Sequence, residues 1–235
     1  MTIETIRVQD GGVRHLVATP SAGDVRGGVI VVQEGFGLTG HISSSLERLA
    51  ADGWAAVAPA LYHRFGSPVF GYADPEGATA AMGRLVGDEV DGDVDDAADI
   101  LVERGVPRER HAIVGFCLGG TVAFHTAVRG TVAAAVSFYG GGIRQGRFGQ
   151  PCLLDQAAQL KSPWLGMYGD QDPYIPVADV EALRAIVTGC DAEADIVRYP
   201  QVGHGFTSFD RADYDEGAAE DAWRRCLDWL STRVP

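Results

Sequence analysis

Three short stretches carry the residue types that covalent acyl transfer needs. A thiol stands in Gly115-Phe116-Cys117-Leu118-Gly119-Gly120, a carboxylate in Gly169-Asp170-Gln171-Asp172-Pro173, and an imidazole in Val202-Gly203-His204-Gly205-Phe206. A thiolate can attack a carbonyl carbon, an imidazole can take and return the proton, and a carboxylate can fix the imidazole's tautomer. Small residues flank Cys117, as a nucleophile forced into a strained strand-to-helix turn requires. The amides of the following helix would favour thiolate, and the Leu118 amide would point at the developing oxyanion. The competing reading of Cys117 is an ordinary buried cysteine at a glycine-rich turn, and the presence of His204 and Asp172 decides against it. Asp172 is preferred to Asp170 because it stands deeper in its loop, ahead of a Pro-containing turn, whereas Asp170 suits hydrogen bonding to the turn backbone.

Such residues need elements that bring three distant loops together. Short apolar runs rich in Val, Ile and Ala at Gly28–Gln33, Ala55–Ala58, Ala112–Phe116, Ala133–Phe138 and Trp164–Tyr168 predict buried parallel strands. Helical spacing with terminal caps predicts helices over Ser43–Asp52, Val90–Arg104, Leu118–Val128, Val177–Val187 and Glu216–Thr232. Strand and helix alternate, so the fold class is α/β: a mostly parallel central sheet with helices on both faces. Arg7–Thr19 is expected to add an antiparallel edge strand or hairpin. Functional groups on such a sheet collect at the carboxyl ends of its strands, and all three motifs follow strands.

With no repeat, low-complexity linker or charged block, residues 1–235 are expected to form one domain. The chain has 32 acidic against 19 basic residues, a net charge of −13, which disfavours a nucleic-acid partner. No stretch approaches the ~20 apolar residues of a membrane span, and Met1–Asp10 does not read as a leader, so a cytoplasmic protein is expected, as a monomer or homodimer. Cys117, Cys152, Cys190 and Cys226 lack metal-ligand spacing, so reduced thiols, no metal and no cofactor are expected.

Together with Gln33-Glu34-Gly35-Phe36-Gly37, the three motifs resemble those of the dienelactone hydrolases, and the resemblance runs over nearly the whole chain. It implies an α/β-hydrolase fold with Cys117, His204 and Asp172 as the triad. It further implies that Glu34 contacts the resting nucleophile and aids thiolate formation, and that Gly35 supplies the second oxyanion amide beside Leu118. Independently, an ionisable group just past an apolar strand, as Glu34 is, must be paired or functional; its alternative is a solvated loop carboxylate. Family members that act on dienelactone hold the substrate carboxylate with two arginines, one shortly after the histidine. Here that stretch reads Phe206-Thr207-Ser208-Phe209, with Arg211 nearby, and Arg64 and Arg84 are the other candidates. Phe36, Phe206 and Tyr62 are candidate pocket residues, and the aromatic segment Tyr62–Tyr72 would form a lid, a pocket wall or a cap on the core.

The partner these features imply is a small ester or lactone, cleaved through a thioester on Cys117. Thioester hydrolysis on the same triad is one alternative. A binding or redox-sensing protein that uses a reactive Cys117 is another, although no obvious resolving cysteine supports it.

Overall fold

The computed structural model describes residues 3–7, 13–21 and 24–235. Its eight strands form one sheet, in the order β1-β2-β4-β3-β5-β6-β7-β8. They are β1 (Ile3–Arg7), β2 (Val13–Ala18), β3 (Gly28–Val32), β4 (Ala55–Pro59), β5 (His111–Phe116), β6 (Ala134–Phe138), β7 (Trp164–Gly169) and β8 (Ala194–Tyr199). β2 pairs antiparallel with β1 and β4, and the strands from β4 to β8 are mutually parallel. Within the span Arg7–Thr19 expected to add an antiparallel edge, β2 forms, whereas the edge strand β1 lies almost wholly ahead of that span; residues 8–12 lie outside the described residues.

The central strands β3 to β7 are buried along their whole length, which is why they read as unbroken apolar runs. β8 has only one buried residue, Ile196, in the pattern of a sheet margin. The helices are α1 (Gly40–Ala51), α2 (Pro75–Met82), α3 (Gly87–Glu103), α4 (Leu118–Arg129), α5 (Leu153–Gln156), α6 (Val177–Val187) and α7 (Glu216–Arg233). Arg48 of α1 grips Glu220 of α7 in a two-pronged ion pair at 2.7 and 2.8 Å. Arg129 of α4 likewise holds Asp95 of α3, at 2.7 and 2.9 Å. α4 packs on β5 and β6 and is buried over most of its circumference, so the strand that delivers Cys117 and the helix that leaves it are both held in the core.

Among the described residues no helix is long and apolar enough to cross a membrane, and no group of His, Cys, Asp and Glu is arranged to hold a metal ion. All four cysteines are free thiols.

Candidate active site

Cys117 sits between the end of β5 and the start of α4 with φ +53° and ψ −109°, a conformation that a side chain adopts only under constraint. Its own amide donates to the Phe138 carbonyl at 2.9 Å, which fixes the turn to the neighbouring strand. The turn requires glycine on both sides. A Cβ on Gly115 would overlap the Gly119 carbonyl, and one on Gly119 would overlap the Val32 carbonyl at the end of β3. Leu118 is the first residue of α4, so its N–H has no acceptor within the helix and is free to meet an oxyanion.

The other two groups arrive from β7 and β8. Asp172 Oδ1 accepts the amides of Tyr174 and Ile175 at 2.8 and 3.2 Å, and its Oδ2 lies 2.6 Å from His204 Nδ1. The carboxylate is therefore locked by backbone while it orients the ring. Asp170 is engaged elsewhere, in a double contact with Arg198 at 2.6 and 2.7 Å. The remaining face of His204 meets Cys117. Burial by itself would lower the imidazole's pKa, but the Cys117 sulfur and Asp172 reverse this and raise it to about 10. Burial would likewise push the Cys117 thiol up; His204 overrides it, Arg147 adds to the effect, and the thiol ends below its ordinary value despite the opposing Glu34. The pair thus favours thiolate and imidazolium.

Glu34 is only 1% exposed. Burial raises its pKa, against hydrogen bonds from Tyr72 and Thr39 and the charges of Arg211 and His204. Its Oε1 accepts from Thr39 Oγ1 at 3.3 Å and from the Tyr72 hydroxyl, which also bonds Ser208 Oγ at 2.7 Å. Its resolved hydrogen bonds thus go to these side chains, while it acts on Cys117 through charge.

Several expected pocket residues have other tasks. Arg64 is engaged by Asp93 at 2.7 and 3.0 Å and by Glu89 at 3.4 Å, both on α3, which removes it as a free substrate anchor. Arg84 stacks on Phe65, 3.9 Å from the ring centroid, and is likewise occupied. Phe206 is fully buried between Tyr139 and Tyr199, a core residue behind the histidine. Tyr62 is 1% exposed and donates its hydroxyl to the Gly35 carbonyl at 2.8 Å, so it supports the loop from beneath. Phe36 is partly exposed, edge-on to Tyr72 at 4.8 Å, with Arg211 over both rings. The segment from Tyr62 to Tyr72 is tied down by the Phe70 amide to the Phe36 carbonyl and by Tyr72 to Glu34.

Sequence reasoning passed over Arg147. Its side chain lies along Gly141 and Gly142, where a Cβ would come within 3.0 and 3.4 Å of it, and its charge reaches Cys117. It is exposed and has no carboxylate partner among the described residues. A groove of about 620 Å³ runs beside it, walled by Ile143, Arg144, Tyr174 and Asp179. Tyr174, 73% exposed, stands edge-on to His204 at 5.4 Å, so this wall reaches the imidazole. The signal available in the sequence was a run of three glycines followed by a basic loop.

Residues 13–234 match the model of the "Dienelactone hydrolase family". A Salmonella typhimurium protein named "Putative carboxymethylenebutenolidase" is 37% identical over 86% of this chain and 76% of its own length. A Synechocystis protein of the same name is 34% identical over 99% of this chain and 97% of its own. The crystal structure of a "Putative Dienelactone Hydrolase" from Klebsiella pneumoniae superposes with a TM-score of 0.86 at 33% identity, covering 98% of this chain and 97% of that one. With its eight-stranded sheet and this match over nearly its full length, the chain is an α/β-hydrolase-fold enzyme and belongs to the dienelactone hydrolase family, hydrolases of ester and lactone bonds.

Proposed function

We propose that Cys117, His204 and Asp172 act as a catalytic triad that hydrolyses a small ester or lactone through a thioester. The observation that carries this reading is the Asp172–His204 contact at 2.6 Å, with Cys117 at the constrained elbow on the other side of the ring. The thiolate sulfur bonds to the carbonyl carbon while the carbonyl π pair moves onto oxygen, between the amides of Leu118 and Gly35. As the tetrahedral species collapses, the bond to the leaving alkoxide breaks and His204 delivers the proton to it. A water, deprotonated by His204, then attacks the thioester, and the Cys117 thiolate departs.

Burial pushes the Glu34 carboxyl's pKa up, which disfavours a second negative charge beside the thiolate. A substrate that carries its own carboxylate fits Arg147, which has no carboxylate partner among the described residues and takes over the anchoring expected of Arg64 and Arg84.

The test compares hydrolysis of dienelactone and of a neutral aryl ester by the wild type and by Cys117→Ala. Turnover of either that disappears in the variant supports the nucleophile. Turnover of dienelactone that weakens in Arg147→Ala, with the neutral ester unaffected, supports the carboxylate-bearing class. Activity that survives Cys117→Ala would overturn the mechanism.

A further inference from the structure

Gly35 poses a physical problem. A Cβ there would sit 2.7 Å from Met82 Sδ, so a side chain could enter only by displacing that thioether, and the sequence has none. A residue without Cβ has the freest backbone of any, yet an oxyanion donor must point in one direction before the charge develops. The two peptide planes that meet at Gly35 must therefore be held by something other than its own sterics.

Both are held, and by buried side chains. The Glu34 carbonyl accepts from the Gly37 amide at 3.2 Å and from Gln33 Nε2 at 3.3 Å. In a trans peptide, C=O and N–H point in opposite directions, so fixing the Glu34 carbonyl aims the Gly35 N–H the other way. On the far side of Gly35, its carbonyl accepts the Tyr62 hydroxyl at 2.8 Å. Gln33 and Tyr62 are each 1% exposed. Gln33 is itself oriented: the Leu61 amide donates to its Oε1 at 3.1 Å, which assigns the oxygen and leaves the nitrogen for Glu34. Leu61 and Tyr62 are in turn braced by their successors, since His63 and Arg64 both bond the buried Asp93 of α3.

We propose that Gln33 and Tyr62 are positioning residues that clamp the two peptides of Gly35 and so preset its amide as an oxyanion donor. The clamp rests on the hydrolytic reading above. It turns the Tyr62 hydroxyl and the Gln33 carboxamide, which touch no substrate, into determinants of rate.

Tyr62→Phe removes one hydroxyl and keeps the ring packing against Phe65 and Phe70. Three readouts are compared with wild type. They are hydrolysis of 4-nitrophenyl butyrate, inhibition by butyraldehyde, and the rate of Cys117 alkylation by iodoacetamide. Butyraldehyde adds to the thiolate through its carbonyl carbon and leaves an alkoxide in the hole, whereas alkylation expels iodide and forms no oxyanion. Loss of a whole hole donor lowers kcat by about 10²- to 10³-fold, so loss of one clamp should lower it roughly ten- to a hundredfold, with KM within about twofold. Butyraldehyde inhibition should weaken by a similar factor, and alkylation should stay within about twofold. Gln33→Met should give the same pattern. A Tyr62→Phe enzyme with unchanged kcat and inhibition overturns the clamp. So does a parallel fall in alkylation, which would mean that the change reached the thiol and not the hole. A wild type without Cys117-dependent hydrolysis or butyraldehyde protection would instead remove the hydrolytic reading, and the clamp with it.

Discussion

The two aspartates two positions apart in the sequence separate cleanly in their contacts: Asp172 Oδ2 faces His204, and Asp170 faces Arg198. Asp172→Asn should lower kcat by roughly 10²- to 10⁴-fold, because the amide can present a donor where the imidazole needs an acceptor. Asp170→Asn should leave kcat within about threefold and act on stability instead; steady-state rates of the two variants check this. The Cys117 pKa lies below, and the His204 pKa above, their ordinary values, so the reactive pair exists between the two. Iodoacetamide should therefore alkylate Cys117 readily below the ordinary thiol range, and the rate should fall in acid, where the thiolate is protonated. A rate that rose only through the ordinary thiol range would contradict the pairing. That Cys117, His204, Asp172 and Glu34 come together was legible in the sequence because each stands in a turn that follows a strand. Arg147, and the redirection of Arg64 and Arg84, were not, because an arginine reaches far enough that its partner depends on the tertiary path of the loop.

At the scale of elements, the apolar runs fixed the five buried strands to within one or two residues, and α6 falls on Val177–Val187 as expected. α2 was missed although Asp74 caps it, accepting from the Gly77 amide at 2.9 Å, and Pro75 opens it. Its eight residues bury only Ala78 and Ala81, too few to show a period. β8 was implied ahead of His204 but not bounded, since a marginal strand with one buried residue carries little apolar signal. The glycines sort by role in the same way. Gly115→Ala should abolish folding or destabilise by several kcal/mol, because its Cβ would meet backbone that cannot yield. Gly92→Ala, in the exposed interior of α3 with open space around it, should stabilise by about 0.5–1 kcal/mol. Thermal unfolding of the two proteins reads both effects.

For the molecule as a whole, acid sensitivity should come from buried imidazole. His41 is 2% exposed, packed edge-on to Phe116, and burial lowers its pKa to about 4, with Arg211 adding to the shift. An unfolded His41 binds its proton near pH 6.5 and the folded one does not. Its contribution is therefore complete above that pH and declines as pH falls toward 4, by roughly 3 kcal/mol in total. His41→Gln should flatten the fall in melting temperature between pH 6.5 and 4; an unchanged slope would place the acid sensitivity elsewhere. The strand order has a further consequence. Cys117 belongs to the middle of the sheet, whereas His204 follows β8 at its margin, with β6 and β7 between. On a ribosome the thiol emerges long before its base, and the base reaches it only after β6, β7 and β8 have paired in turn. On the mechanism proposed above, the nascent chain therefore carries a thiol of everyday reactivity and gains its paired thiolate only when that edge of the sheet has closed.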